Sequence, residues 1–271
     1  MIIPYPHIPP KIFSVGPLAV RWYGVMYVIG YIVGTTVAKR RVRRGMVPFD
    51  EAAVDSLVGY LVVGMLLGAR IFYVFIYDPV HYRAAPLDAF AVWHGGLSFH
   101  GAALGMALAC LVFAKRRHVP FWSVADTVAL AAPPGLFFGR LGNFINGELY
   151  GRATSVPWAM IFPTDPLRIP RHPSQLYEAV CEGLVLFVVL MWLERRSVRG
   201  GWYRQGLIAG TFLVGYGFLR YLIEFTRQPD AQLGFVAGPF SMGQILSSLM
   251  IVIGLVVIAV VYRRQSTGAT T

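Results

Sequence analysis

The run Gly243-Gln-Ile-Leu-Ser-Ser-Leu-Met-Ile-Val-Ile-Gly-Leu-Val-Val-Ile-Ala-Val-Val-Tyr262 carries no charge and is followed at once by Arg263-Arg264. A helix rises about 1.5 Å per residue, so roughly 20 apolar residues match a hydrocarbon core of about 30 Å. This stretch predicts a membrane-spanning helix, and six more runs read the same way. They are Trp22–Ala38, Val54–Ile76, Phe99–Ala114, Trp122–Phe138, Leu176–Leu193 and Leu207–Phe225. The runs are continuous and do not alternate, so barrel strands do not account for them. The expected fold is an all-α polytopic membrane protein of seven transmembrane helices. It forms a single integral membrane domain over residues 1–271, with an external loop region at 139–175.

Composition agrees. Hydrophobic residues make up 56% of the 271 residues and charged residues only 14%, against about a quarter charged in a soluble domain. Disorder is excluded by the same apolar content. The 29 glycines have no triplet period and there are only two cysteines, which excludes collagen-like and disulfide-scaffold chains. The formal charge of +11 would point to nucleic acid in a soluble protein. In a membrane protein its placement matters more.

Fourteen of the 24 basic residues lie in alternate connections or at the end of the chain. Lys39, Arg40, Arg41, Arg43 and Arg44 follow the first run. Lys115, Arg116 and Arg117 follow the third. Arg195, Arg196, Arg199 and Arg204 follow the fifth, and Arg263 and Arg264 the seventh. The positive-inside rule makes that side cytoplasmic, with the N-terminus external and the C-terminus cytoplasmic. With Asp50, Glu51, Asp55 and Glu194 these segments carry a net +10, and the rest of the chain a net +1. The surplus charge is therefore a topology signal and not a nucleic-acid signature. The first residues hold Pro4, Pro6, Pro9 and Pro10 and no basic n-region, so an irregular or interfacial segment is expected there, not a cleaved leader.

Three constellations could carry chemistry. Tyr216, Arg220, Glu224 and Arg227 recur at helical spacing at the end of the sixth run. Ionisable groups within hydrocarbon are functional by default. This face reads either as an anion site, with Glu224 holding an arginine in place, or as an interhelical polar clamp. The second is Gly139-Arg-Leu-Gly-Asn-Phe-Ile-Asn-Gly-Glu-Leu-Tyr-Gly-Arg152, at the external end of the fourth run. Arg140 offers a planar fork suited to phosphate, and Asn143, Asn146 and Glu148 offer donors and acceptors for a glycerol or sugar group. A glycine-rich helix stop explains its glycines but not the polar residues. No strand precedes it, so it is no dinucleotide fingerprint. The third is His94-Gly-Gly-Leu-Ser-Phe-His-Gly101. His100 at a helix N-terminus is favoured neutral and could act as a general base, or serve as a structural donor. His94 and His100 are six apart with no third ligand near, so no metal is expected. Arg70 pairs inside the bundle or lines a cavity. Glu178 can meet a helix dipole or an arginine, and Cys110 and Cys181 read as inert buried thiols.

Together these stretches resemble the bacterial prolipoprotein diacylglyceryl transferase family. The resemblance rests on Arg21-Trp-Tyr-Gly, Gly95-Gly-Leu-Ser-Phe-His-Gly101, the Gly139–Arg152 block, His172-Pro-Ser-Gln-Leu-Tyr-Glu178 and Tyr216-Gly-Phe-Leu-Arg-Tyr-Leu-Ile-Glu-Phe-Thr-Arg-Gln-Pro-Asp230, in family order. Tyr150 stands where many members carry Trp. The resemblance implies a transferase of the bacterial inner membrane with its site on the external, periplasmic side. Its substrates would be phosphatidylglycerol and the lipobox cysteine of a preprolipoprotein signal peptide. The products would be a thioether and glycerol 1-phosphate. It ties His100, Arg140 and Arg220 to activity. Tyr23, Asn143, Asn146, Glu148, Gly151, Tyr216 and Glu224 would line or support the site, and Arg227 is grouped with the substrate-binding residues. No cofactor is implied. Partners would be these substrates and membrane lipids, and no nucleic acid. In this reading His100 takes the thiol proton while Arg140 and Arg220 hold the departing phosphate. In the alternative, Arg220 lowers the thiol pKa and His100 is structural. An intramembrane serine protease using Ser98 and His100 fails because residues two apart on a helix face apart. An anion transporter would be expected to show repeated halves, and no repeat is visible.

Overall fold

The structure is a computed structural model, describing all residues except 1, 2, 7, 17, 92, 94, 229–234, 238–239 and 267–271. His94 thus lies outside the described residues, as do Pro229 and Asp230. The chain is a helical membrane protein. A hairpin of β1 (Lys11–Val15) and β2 (Leu18–Arg21) leads into α1 (Trp22–Arg43). Next come α2 (Glu51–Phe72), which widens into a π-helical turn at Tyr73–Tyr77, and the short α3 (Pro79–Ala84). Then follow α4 (Phe99–Arg117) and α5 (Phe121–Asn146). Strands β3 (Met160–Ile161) and β4 (Pro170–Arg171) pair in the long connection that follows α5. After them α6 (Ser174–Glu178) passes through a π-helical stretch, Ala179–Val185, into α7 (Leu186–Arg199). Helix α8 (Leu207–Ile223), the pair β5 (Phe235–Ala237) and β6 (Phe240–Ser241), and α9 (Met242–Ser266) complete the order.

All seven predicted apolar runs are helical. By length and composition Glu51–Tyr77, Phe121–Asn146, Ser174–Arg199 and Met242–Arg263 can each cross a membrane, and Leu207–Ile223 is a shorter apolar helix. Burial is inverted relative to a soluble protein. Ser123, Thr127, Gln175, Glu178 and Glu182 are among the most buried residues, while Val62, Val63, Leu66 and Leu67 of α2 and Val252, Ile253, Leu255 and Val256 of α9 are exposed. Such a continuous apolar exterior is stable against lipid and not against water.

The chain packs as two compact units, Met1–Ala38 with Asp126–Thr271, and Lys39–Ala125. In the second unit α2 and α4 meet along Gly64, Gly68, Gly101 and Gly105. A Cβ on Gly64 would lie 2.5 Å from the Gly105 carbonyl oxygen. With no hydrophobic drive between helices in lipid, this backbone contact supplies the packing. Arg70 at the end of α2 is buried and structural. Its guanidinium donates to the carbonyls of Asp88 (2.5 Å), Ala89 (2.8 Å), Gly95 (2.7 Å) and Gly96 (3.0 Å). It thereby fastens the segment that leads into α4.

In the first unit α8 and α9 also approach through glycines. A Cβ on Gly217 would be 2.7 Å from the Ser247 carbonyl, and one on Gly254 equally close to that of Gly210. Asp126 of α5 accepts from the Gly206 and Ala209 amides at 2.9 and 2.8 Å and from the Tyr203 hydroxyl at 2.7 Å. Its carboxylate sits at the positive end of the α8 dipole and fixes that helix against α5.

Helix α5 runs past the predicted boundary at Phe138, so Arg140, Asn143 and Asn146 stand on its last turns and not in a loop. Gly147, at φ 68°, ends the helix. Its amide donates to the Phe144 carbonyl and the Glu148 amide to that of Asn143. This double return satisfies the terminal carbonyls in the Schellman pattern, which glycine's freedom at positive φ allows. The Tyr5 hydroxyl covers the same end, donating to the Phe144 carbonyl at 2.5 Å.

Candidate active site

Glu178 closes α6 and is fully buried. One carboxylate oxygen, Oε2, receives three guanidiniums: Arg220 Nη1 at 2.7 Å, Arg140 Nη2 at 2.8 Å and Arg227 Nη1 at 3.1 Å. Arg140 comes from α5, Arg220 from α8, and Arg227 from the turn beyond α8. Arg220 Nη2 also lies 3.2 Å from Glu224 Oε2, the i, i+4 pairing expected from the sequence, and Arg227 Nε lies 3.4 Å from the same oxygen. Glu182, one turn after Glu178 in the π-helical stretch, is 3.6 Å from Arg220 Nη1. The Ser241 hydroxyl donates to Glu224 Oε1 at 2.9 Å. Gly243 leaves room for that carboxylate, since a Cβ there would lie 2.7 Å from Glu224 Cδ.

The cluster pairs three guanidiniums with three carboxyls. The acids are the deeper set: Glu178 and Glu182 have no exposed side-chain surface, whereas Arg140, Arg220 and Arg227 keep 20%, 15% and 11%. The accessible edge of a formally neutral cluster is therefore cationic. Planar forks with partly open edges suit a phosphate, which accepts bidentate hydrogen bonds.

Around this centre the polar residues of α5 form a chain. Arg140 Nη1 is 3.5 Å from Asn143 Oδ1, and Asn143 and Asn146 both donate to Glu148 Oε1, at 2.9 and 3.2 Å. Tyr23 on α1 packs its ring against Gly142, its hydroxyl 3.0 Å from that of Tyr27, with Asn143 and Glu148 beside it. Tyr216 on α8 stacks on Phe212 and lies next to Glu182 and Arg220.

Arg227 departs from the sequence expectation. Helix α8 ends at Ile223, and Arg227 is held by a β-bridge to Gly151 and not by a helical turn. The physical cause is competition from the long connection that follows α5. The Arg152 amide donates to the Thr226 carbonyl at 2.8 Å and Arg152 Nε to that of Arg227 at 2.6 Å. A Cβ on Gly151 would collide with the Thr226 carbonyl and with His172 Cβ, so only glycine lets the two backbones meet.

That segment is braced by Asp165 and Arg171, joined at 2.6 Å (Nε to Oδ2) and 3.0 Å (Nη2 to Oδ1). The Arg171 guanidinium holds the Asp165 carboxyl below the ordinary carboxylate range, with help from the Leu167 and Ile169 amides and against the pull of burial. Burial pushes the pKa of His172 below the ordinary imidazole value. Tyr5, Phe144, Met160 and Phe162 form a small apolar core beneath this segment.

His100 belongs to the other unit, on the first turn of α4. Ser98 caps that helix by accepting from the Gly101 amide at 3.2 Å. The Tyr77 hydroxyl lies 2.9 Å from His100 Nδ1. Arg140, Arg220, Glu224, Arg227, Asn143, Asn146, Glu148, Gly151, Tyr216 and Tyr23 are thus all in one unit, with Arg140, Arg220, Glu224 and Arg227 in one ion-pair network. Sequence reading undervalued Glu178 and passed over Glu182. The signal was present: two carboxylates at i, i+4 in the otherwise uncharged run Leu176–Leu193 need cations from elsewhere. Among the described residues no group of His, Cys, Asp and Glu is placed to hold a metal.

These features define a multi-pass membrane protein with a buried arginine–carboxylate cluster. Residues 10–260 match the family described as prolipoprotein diacylglyceryl transferase. Curated relatives named phosphatidylglycerol–prolipoprotein diacylglyceryl transferase cover nearly the whole chain. That of Rhizobium meliloti is 47% identical, over 99% of this chain and 96% of its own. That of Geobacter sulfurreducens is 48% identical (96% and 98%), and that of Vibrio vulnificus 49% (97% and 94%). The chain belongs to the prolipoprotein diacylglyceryl transferase family.

Proposed function

We propose that the arginine–glutamate cluster is where this transferase holds the phosphate of its lipid substrate. The chain transfers the diacylglyceryl group of phosphatidylglycerol to prolipoprotein. The acceptor is the lipobox cysteine thiol of the preprolipoprotein. Its sulfur attacks the glycerol carbon, a C–S bond forms as the C–O bond to phosphate breaks, and glycerol 1-phosphate leaves. The observation that carries the site assignment is the cationic edge of the cluster, with deep carboxylates holding guanidiniums that face outward. Arg140 and Arg220 take up the charge that grows on the departing phosphate in a water-poor site. Asn143, Asn146 and Glu148 orient the glycerol head group, Tyr23 and Tyr216 line the site, and Gly151 keeps Arg227 in register. Glu224 holds Arg220 and Arg227.

The thiol is mostly protonated at neutral pH, and its thiolate is the nucleophile. His100 takes that proton. For Nε2 to accept it, Nδ1 must carry hydrogen and donate to the Tyr77 hydroxyl, which lies within reach. The chain acts as one integral domain of seven spans in the bacterial inner membrane, with the N-terminus and the site outside. The four basic segments on the opposite side support this orientation.

The test uses purified protein, phosphatidylglycerol vesicles and a lipobox peptide, read by mass spectrometry. The expected result is a diacylglyceryl mass gain, lost with a Cys→Ser peptide. Peptide cleavage, or no mass change, refutes the acceptor assignment. His100→Gln should abolish the acidic limb of the pH–rate profile, where protonation silences a general base, and most of the rate. A near-normal rate with an unchanged profile returns His100 to a structural role.

A further inference from the structure

Each guanidinium of the cluster already has a carboxylate partner, and the three arginines balance Glu178, Glu182 and Glu224. A phosphodiester brings one further negative charge into a buried site. An uncompensated charge there is costly, and a proton is the simplest compensation. The three carboxyls are not equivalent places for it. Glu178 accepts from Arg220 and Arg227 and pairs with Arg140, and Glu224 accepts from Ser241 and pairs with two arginines. Glu182 is fully buried, and neither of its oxygens has a hydrogen-bond donor among the described residues. Its nearest cation is Arg220 Nη1 at 3.6 Å, and that group is closer to Glu178. Placing a proton on Glu182 breaks no hydrogen bond and leaves every guanidinium at least one carboxylate.

Charged and titratable groups surround Glu182. They are Arg220 and Tyr216 on α8, Arg140 on α5, Arg227 beyond α8, Glu178 one turn before it, and Cys181 beside it. The backbone there is π-helical, a local widening that recurs at functional positions. Gly183, the next residue, lets the stretch press onto α5, where a Cβ would lie 2.6 Å from Phe137 Cβ. The carboxyl is thus fixed in depth behind Arg220.

We propose that Glu182 takes up one proton from solvent when the anionic phosphodiester of the lipid enters the arginine cluster, so that lipid binding is coupled to protonation of a carboxyl that never touches the reacting carbon. Glu182 is in these terms a positioning residue that acts through Arg220. The inference rests on the cluster being the phosphate site.

The experiment is calorimetric titration of the full-length protein in detergent with short-chain phosphatidylglycerol. Each pH between 5 and 9 is run in two buffers of different ionisation enthalpy, which gives the protons taken up per lipid bound. The expected result is uptake in the wild type that rises toward one proton within this range and is absent in Glu182→Gln. The apparent KM for lipid should weaken by up to about tenfold per pH unit above the titration point in the wild type, and be flat in Glu182→Gln. No uptake in the wild type, or uptake that persists in Glu182→Gln, overturns the proposal. Should Glu182→Gln fail to fold, infrared difference spectra of the wild type decide. A protonated-carboxyl band must appear on adding lipid and shift with isotopically labelled glutamate, and its absence overturns the proposal. Arg140→Gln and Arg220→Gln separate the two assignments. If they bind lipid normally, the phosphate site itself is misassigned. If they lose binding while the wild type takes up no proton, the site stands and only the role of Glu182 falls.

Discussion

Glu178→Gln is the most informative single change. It keeps the shape of the side chain but removes the charge on which Arg220, Arg140 and Arg227 converge at 2.7, 2.8 and 3.1 Å. The amide also turns one acceptor into a donor, which must face a guanidinium. Each charge-assisted hydrogen bond is worth about 1.5–3 kcal/mol, but the contacts share an atom and are not additive. The better measure is the cost of stranding a buried charge, about 3–5 kcal/mol, or a fall of roughly 6–20 °C in the melting temperature. Catalysis should suffer more than binding. The variant cluster gains a net positive charge, so affinity for an anionic lipid does not weaken. The arginines lose their common anchor, and a misplacement of about 1 Å costs on the order of 10²-fold in rate. The assay is steady-state transfer to a lipobox peptide with lipid concentration varied, alongside thermal unfolding in detergent. The expected outcome is kcat lowered about 100-fold with KM unchanged or lower, and partial rescue in Glu178→Asp, which restores the charge. Wild-type kcat together with a wild-type melting temperature would refute the idea that Glu178 organises the cluster.

Gly151→Ala should destabilise by about 1–3 kcal/mol through overpacking against Thr226 and His172, and should lower activity by displacing Arg227; thermal unfolding and the transfer assay both read it. Asp165 has a lowered carboxyl pKa in the folded chain, so the folded state holds fewer protons than the unfolded one. Its contribution is complete above the ordinary carboxylate value of about 3.9 and vanishes as pH falls through the lower folded value. Acid unfolding curves should therefore be steeper for the wild type than for Asp165→Asn, which starts lower and varies less below about pH 4. Arg70→Lys should lose the fork that gathers the carbonyls of Asp88, Ala89, Gly95 and Gly96, because an ammonium is a point donor. Hydrogen exchange across residues 85–98 should rise and transfer should fall about tenfold or more, the segment leading to His100 being loosened.

The helices were legible because hydrocarbon selects on length and apolarity, both of which are local properties. Every apolar run proposed from sequence is helical, down to Leu207–Ile223. The boundaries were less legible where tertiary partners move them. Phe138 ends the apolar run of α5, yet the helix continues to Asn146 because Tyr5 and the glycine turn at Gly147 satisfy its last carbonyls. Arg227 falls on the helical period but leaves it, since pairing with Gly151 and Arg152 draws the backbone away after Ile223.

By itself the sequence determined that this chain lives in a membrane, which arginines stand apart from the four basic segments, and which polar residues cluster at the ends of helices. Hydrophobicity and charge act residue by residue, so a linear reading captures them. Only the tertiary structure decided that Glu178 is the hub. Its arginine partners stand 38, 42 and 49 positions away, on α5, on α8 and beyond α8. The same holds for Glu182, whose character comes from having no hydrogen-bond donor among the described residues. A buried ion pair is defined by which charges the fold brings within about 4 Å in a low-dielectric interior, and no local pattern encodes that distance.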